Sequence, residues 1–551
     1  MVKPKGANLF GIQFQRQLRN RWIWGAFFTA LLIAIPLVIV LSNIFIPGDA
    51  IWQHISQNLL PRYVLNTIIL MTGVAILTFL LGVSTAWFVS MYNFPGRRFF
   101  NWALILPIAI PAYINGFTWA GILDYTSPVY VFLRNNFGID TGQYLFFNIL
   151  SLPGAIIILS LSFYPYVYLI SRANFSRQSS SLFEVSSSLG RKNSEIFYKV
   201  ALPLARPAIV AGISLALMEV LNDYGLVRYF GVDTFTTGIF TAWFAFSHPQ
   251  SALKLSAYLM LFVLILIIME RTQRGQMRYD TLGSTYRPLR KINLSRNHSL
   301  LATILCLIPF LSGFAIPVFM LLYWSSLTFK YVVNYRFTEL LTNSFLLAAI
   351  ASVMVTLFAL FISFTVRSFP SRFVKLLARV ATLGYALPGA VVAVGILIPF
   401  LWIDSNLGFD PITGVRLTIT GTWFSLVYAY LVRFMAVGYN SIDSGLEKIS
   451  TSLDEASRSL GVSNMKTLSK INIPLLTGSI ISAALLVFID VLKELPLTLI
   501  LRPFNFDTLA IRAFEFASDE RVAEAAPAAM IIIITGMIPV FLLNRLMGGE
   551  N

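Results

Sequence analysis

The chain has 551 residues, with 41 Lys+Arg against 25 Asp+Glu, a net charge of +16 and a single cysteine, Cys306. Hydrophobic residues make up 57% and charged residues 12%, against about 25% charged in soluble domains. These figures exclude a water-soluble globule, a disordered chain and a disulfide scaffold, and leave a polytopic membrane protein if the apolar runs reach the ~20 residues that a bilayer requires.

They do. In chain order, candidate spans fall near 23–46, 66–92, 99–123, 144–170, 203–222, 252–270, 300–327, 343–366, 376–403, 417–440, 474–495 and 525–547. The runs are continuous rather than alternating, so all-α spans are expected and not an outer-membrane barrel. Internal Pro and Gly are tolerated where neighbouring helices re-satisfy the backbone. The first run is too long for a signal-peptide core and no small-residue cleavage site follows, so it reads as an uncleaved first span.

Charge then sets orientation. The tail before the first run holds Lys3, Lys5, Arg16, Arg19 and Arg21 without an acid, whereas 47–65 has only Asp49 and Arg62. Loop 93–98 has Arg97 and Arg98, and 124–143 is poor in bases. Loop 171–202 is basic again, and 271–299 holds Arg271, Arg274, Arg278, Arg287, Arg290, Lys291 and Arg296 against Asp280. Short loops that keep Lys and Arg stay in the cytoplasm, so both termini and the central linker are placed there. The basic balance is a matter of topology, and no nucleic-acid partner is needed; the partner it implies is membrane lipid.

The chain repeats itself. Segment 181–209 (SLFEVSSSLGRKNSEIFYKVALPLARPAI) matches 452–480 (SLDEASRSLGVSNMKTLSKINIPLLTGSI) without a gap at an offset of 271, with 12 of 29 positions identical. The register continues to Glu219/Asp490 and Asp223/Glu494. Asn66-Thr67 resembles Asn343-Ser344, Phe94-Pro95 resembles Phe369-Pro370, and Leu106-Pro107 with Pro111 stands where the second half has Leu387-Pro388. Six spans per half is an even number, so the halves are parallel repeats about an axis along the membrane normal, enclosing a central path. The expected organisation is 1–64 (tail, first span and outer loop), 65–270 (first core repeat), 271–299 (basic linker), 300–341 (seventh span and outer loop) and 342–551 (second core repeat).

Both copies of the repeated segment lie in cytoplasmic loops. Ser181 with Glu184, and Ser452 with Glu455, have capping-box spacing. Gly190 and Gly461 permit the left-handed turn that ends a helix. Thirteen residues later, Pro203 and Pro474 suit the first turn of the next span. The product is a short helix and turn outside the membrane, once per half, suited to a groove on a partner that comes in two copies.

Glu, five residues, Gly, then thirteen residues to Leu202-Pro203 or Ile473-Pro474 resembles the EAA loop of bacterial ABC-transporter permeases. The second copy, Glu455-Ala456-Ser457 with Gly461 and Pro474, is nearer the pattern than Glu184-Val185-Ser186 with Gly190 and Pro203. The resemblance covers nearly the whole chain as two fused type I permease domains, and implies coupling helices seated on two copies of an ATPase subunit. It also implies a separate periplasmic substrate-binding protein, a bacterial inner-membrane location and alternating access driven by ATP. Leu106–Tyr113, Leu123–Pro128 and Asp490–Thr498 resemble fused permeases for ferric iron; thiamine and phosphonate permeases are the competing resemblances.

No Gly-x-x-x-x-Gly-Lys-Ser/Thr phosphate loop is present. The chain is therefore expected not to be an ATPase and to bind no cofactor, with ATP and Mg²⁺ on the partner. Charged residues inside spans are functional candidates. Glu219 lies 16 residues past Pro203, or roughly 24 Å at 1.5 Å per residue, in the outer half of a core about 30 Å thick. Asp223 is one turn on, and Asp490, Lys493 and Glu494 are the equivalent set. The acids Glu219, Asp223, Asp490 and Glu494 would suit a hard trivalent cation in transit; alternatively Glu219, Asp490 and Lys493 form ion pairs that stabilise a gate. Tyr113 and Asp124 are weaker path candidates. With only His54, His248 and His298 besides Cys306, no resident metal site is read, and no catalytic set converges. A secondary transporter driven by an ion gradient is the alternative of a different class.

Overall fold

The computed structural model describes residues 20–137, 148–178, 188–191, 193–274, 291–406 and 418–547. The helices that matter are α1 (Arg21–Ser42), α2 (Ala50–Met91), α3 (Arg97–Ala103), α4 (Ala112–Ile122), α5 (Leu152–Arg177), α6 (Phe197–Asn222), α7 (Gly225–Tyr229), α8 (Phe235–Phe240), α9 (Pro249–Arg274) and α10 (Arg296–Val332). They continue as α11 (Tyr335–Ser368), α12 (Arg372–Ala381), α13 (Gly389–Asn406), α14 (Trp423–Glu447), α15 (Thr451–Ser459), α16 (Asn464–Leu492), α17 (Pro496–Leu501), α18 (Leu509–Ser518) and α19 (Val522–Met547). The chain is an all-α polytopic membrane protein.

Among the described residues, ten helices are long and apolar enough to cross a membrane, or eleven if a bent pair counts as one. Twelve spans are expected from the sequence, and the two differences have local causes. The run at 99–123 is broken: α3 with its following turn meets α4 at 95°. Pro111 forces Ile110 into extended backbone at φ −98°, ψ 114°, because the residue before proline avoids the helical region. The run at 417–440 is α14, which carries Arg433, Asp443 and Glu447 and is not among the apolar helices.

Proline also explains a recurrent widening of the helices. Five-residue π turns at Ile55–Leu59, Phe197–Ala201, Leu311–Ala315 and Leu468–Asn472 each precede Pro61, Pro203, Pro317 or Pro474 by two residues. Proline donates no N–H and its ring crowds the preceding turn, so the turn before it loosens to a wider bonding pattern. Pro203 and Pro474 occupy the second position of Leu202–Asn222 and Ile473–Leu492, as the sequence suggests.

The helices form two compact units, each discontinuous in sequence: 1–46 with 342–507, and 47–341 with 508–551. In the second, α2 packs along α5, and α5 on α6. A Cβ on Gly82 would lie 2.6 Å from Val167 Cβ, and one on Gly212 would lie 2.8 Å from Val167 Cα. Small residues thus let three backbones approach where lipid offers no hydrophobic drive. The seventh span, α10, joins this unit: Trp119 Nε1 donates to Ser312 O at 2.9 Å, and Thr328 Oγ1 to Ala523 O at 3.0 Å. A parallel two-residue pairing, Tyr92–Asn93 with Ile292–Asn293, ties the last part of the linker to the end of α2. At the start of α2, Asp49 accepts from Trp52 N at 2.9 Å and meets His248 Nε2 at 2.7 Å, while Trp52 stacks on Tyr258.

In the other unit the first span joins the second repeat's helices. Trp22 stacks on Phe361, Tyr428 Oη donates to Leu32 O at 2.6 Å, and a Cβ on Gly395 would lie 2.9 Å from Pro36 O. Sequence similarity therefore follows the linear halves, while packing lodges the first span with the second repeat and the seventh with the first.

Candidate coupling surface and substrate path

The second copy of the repeated segment folds as a short helix, α15, and a turn. The helix starts two residues earlier than capping-box spacing suggests. Ser450 is its cap, accepting from Ser452 N at 3.3 Å, and Ser452 lies inside the first turn. The Ser452–Glu455 box is therefore not the device that starts this helix; a serine two residues upstream takes the role because it alone precedes the first helical residue. Glu455 and Ala456 are exposed, whereas Asp454 and Ser457 are buried. Ser457 Oγ lies 2.7 Å from Thr467 Oγ1 and pins the helix to the start of α16.

Gly461 ends the element at φ +73°, a conformation that costs L residues dearly, and Gly190 has φ +75° in the first copy. Among the described residues, nothing lies within 4 Å of a Cβ built on either. The preceding residues are leucines exposed to 74% (Leu189) and 81% (Leu460). Glu184 and Ser186 lie outside the described residues. Pro203 and Pro474 are exposed at the entry to their spans.

Behind α15 is a buried polar hub that the sequence reading missed. Arg367, in the last turn of α11, donates Nε to Asp454 Oδ2 at 2.5 Å. Its Nη1 reaches Leu446 O at 2.5 Å, and its Nη2 reaches Ile449 O and Ser450 O at 3.0 and 3.1 Å. Asn472 Nδ2 donates to the other Asp454 oxygen at 3.0 Å.

The acidic residues of the expected path divide by role. Asp223 Oδ1 accepts from Leu226 N and Val227 N at 3.1 Å each, and Glu494 Oε1 accepts from Leu497 N at 3.0 Å. Equivalent acids thus satisfy the free N–H groups of the short helices α7 and α17. Glu494 also faces Arg433, Nη2 to Oε2 3.5 Å, and both are buried. Arg433 is the lone charge inside the expected span 417–440, a signal that sequence reading could have used. Asp490 pairs with Lys493 at 2.8 Å, the i,i+3 alternative. Glu219 is half-buried on α6. Among the described residues, no group of three or more His, Cys, Asp or Glu side chains is arranged to hold a metal ion. Asp124 folds back on its own turn, accepting from Thr126 N at 2.8 Å.

Tyr113, at the start of α4, is buried in an aromatic cluster. Phe514 meets it edge-on at 6.4 Å, and Phe117 is 6.5 Å away. Phe514 also lies 6.0 Å from Tyr224, which stacks on Phe240. Phe240 and Phe514 are repeat equivalents, each six residues after a threonine that caps its helix, Thr234 or Thr508.

The family model for the inner-membrane component of binding-protein-dependent transport systems matches the chain twice, over residues 78–276 and 355–548. The chain belongs to this family. It is a fused permease of two repeats, and each match contains one copy of the repeated segment. The Fe(3+)-transport system permease protein FbpB 2 of Haemophilus influenzae is 28% identical over 524 residues, 94% of this chain and 97% of that protein. The ferric transport system permease protein FbpB of Actinobacillus pleuropneumoniae is 24% identical over 571 residues, 96% of this chain and 75% of that protein. A probable sulfate transport system permease protein cysT of Chlorokybus atmophyticus is 27% identical over 234 residues, 41% of this chain and 77% of that protein. A permease of such a system resides in the inner membrane and works with an ATPase and a periplasmic binding protein.

Proposed function

We propose that this permease translocates ferric iron, delivered by a periplasmic binding protein, by alternating access driven through two cytoplasmic coupling elements. One observation carries the coupling reading: at an exact repeat register, two leucines, Leu189 and Leu460, stand almost fully exposed before left-handed glycines. Exposed leucines at turns between the spans are candidates for contact with protein rather than with lipid, and an apolar knob on a turn suits a cleft in a partner. Two such knobs suit two copies of an ATPase subunit, with Glu184, Ser186, Glu455 and Ala456 on the docking face. ATP and Mg²⁺ belong to that partner, and this chain hydrolyses nothing. Both termini lie on the same, cytoplasmic side.

Similarity to ferric-transport permeases along almost the full chain supports iron over sulfate, whose permease aligns with well under half of it. Thiamine and phosphonate remain the substrates to test against iron. Glu219 and Asp490, half-buried at equal register, are the acids we place along the path. Asp223 and Glu494 hold the short helices beside them, Lys493 balances Asp490, and Tyr113 belongs to an aromatic gate.

ATP-driven closure of the ATPase pair displaces the coupling elements and, through Pro203 and Pro474, the spans they lead into. Only an effector with different affinity for two states can shift them; here it is the closed ATPase pair. The test is co-purification: the wild-type chain retains its ATPase, and Glu184→Lys with Glu455→Lys abolishes retention. Full retention by the double variant refutes the docking assignment. An ion-driven transporter would instead transport without any ATPase.

A further inference from the structure

The three polar side chains of the Arg367 hub, Arg367, Asp454 and Asn472, all differ between the repeats. Asn66/Asn343 and the last helical residues Met91/Ser368 set α2 and α11 in one register, which places Ser90 where the second repeat has Arg367. The ungapped segment places Phe183 at Asp454 and Ala201 at Asn472. Ser90 and Ala201 are buried, and Ser90 Oγ makes no hydrogen bond among the described residues. Arginine, aspartate and asparagine in one repeat are thus serine, phenylalanine and alanine in the other. The first repeat carries no charge at any of the three positions.

A buried ion pair is costly to desolvate and is often matched in stability by apolar packing, so its use is to specify one geometry. The geometry specified is informative. One guanidinium joins the end of α11, the last carbonyls of α14 and the first turn of α15, and Asn472 ties the same carboxylate to the π turn that leads into Pro474. The carbonyls at a helix C-terminus lack intrahelical partners and favour a cation, so the arginine is held from one side while it holds α15 from the other.

We propose that Arg367 is a positioning residue that clamps the second coupling element to three spans, making the two coupling elements of this permease mechanically unequal. This rests on the coupling reading above. The charge-clamped element acts as the stiff lever; the first repeat transmits through contacts that use no charge at these positions.

The test uses the full chain with its ATPase and binding protein in vesicles, and amide exchange on the chain alone. Two variants are made: Arg367→Gln, and the triple Arg367→Ser/Asp454→Phe/Asn472→Ala, which transplants the first repeat's residues and leaves no orphan charge to unfold the protein. Both are expected to raise amide exchange over residues 451–460 about tenfold or more, as local opening is released. Both retain the ATPase and lower substrate moved per ATP hydrolysed, whereas Ser90→Ala changes neither readout. Wild-type exchange in the triple variant overturns the clamp. Faster exchange with unchanged transport per ATP overturns its role in coupling. A wild-type chain that fails to hold the ATPase overturns the coupling reading instead, and co-purification reads that separately from exchange.

Discussion

Replacing Glu494 with glutamine isolates the buried pair at the second elbow. Arg433 and Glu494 are each 6% exposed. The guanidinium has one other bond, Nη1 to Leu387 O at 3.3 Å, and its Nε makes none among the described residues. Glu494→Gln keeps an amide oxygen for the Leu497 N–H, so the cap on α17 survives while the counter-charge disappears. Leaving one member of a buried pair uncompensated costs about 3–5 kcal/mol. Arg433→Met strands the carboxylate and costs a similar amount. The double variant buries no charge and loses chiefly the bond to Leu387, about 1 kcal/mol. The two single costs should therefore be strongly non-additive. The first repeat shows that an uncharged arrangement folds: Ser162 stands at the Arg433 position and bonds Asn115 at 3.1 Å. Thermal loss of monodisperse protein in detergent measures all four chains. Both singles should melt well below the wild type, and the double between them and it. A double variant less stable than either single, or singles indistinguishable from wild type, would refute the reasoning.

Gly389→Ala should destabilise by crowding the same pair, because its Cβ would lie 2.5 Å from Glu494 Oε1 and 2.6 Å from Arg433 Nη1; the effect should shrink in an Arg433→Ala/Glu494→Ala background, which removes both atoms, and a full effect there would show that the clash is elsewhere. Leu189→Asp with Leu460→Asp should leave thermal stability within about 0.5 kcal/mol while weakening ATPase retention about tenfold or more, as expected for anchor residues; unchanged retention would remove these leucines from the docking face. The Trp52 N–H, and then His248, hold Asp49 below the usual carboxylate range. A depressed carboxylate stabilises the fold above its unfolded value, about 3.9, and the contribution is lost as pH falls through the lower folded value. Exchange over residues 50–54, corrected for its intrinsic pH dependence, should be flat down to about pH 4 and rise below it, with the step absent in Asp49→Asn; a step that persists in the variant would assign it to another group.

Much of the architecture could be read from the sequence because it rests on long-period signals. Apolar runs locate ten spans directly, and the offset of 271 locates both cytoplasmic elements. Local chemistry was harder. Capping-box spacing pointed to Ser452, but any serine just upstream competes for the cap, and Ser450 won. Acids at equal register looked like a substrate set, yet Asp223 and Glu494 bond the backbone of the short helices that follow them, a role that depends on where the chain turns. Arg367 and Arg433 were passed over because their partners lie 87 and 61 residues away, and composition says nothing about which distant carboxylate a buried arginine meets. The exchange of the first and seventh spans between packing units is also invisible to periodicity, which sees faces but not neighbours.

The most direct measurement is uptake of radioactive ferric iron into vesicles holding this chain, its ATPase and its binding protein. Iron should accumulate only with ATP, not respond to a collapsed ion gradient, resist competition by thiamine, and cease in the Glu184→Lys/Glu455→Lys chain. Accumulation without ATP, or of thiamine in place of iron, would contradict the account.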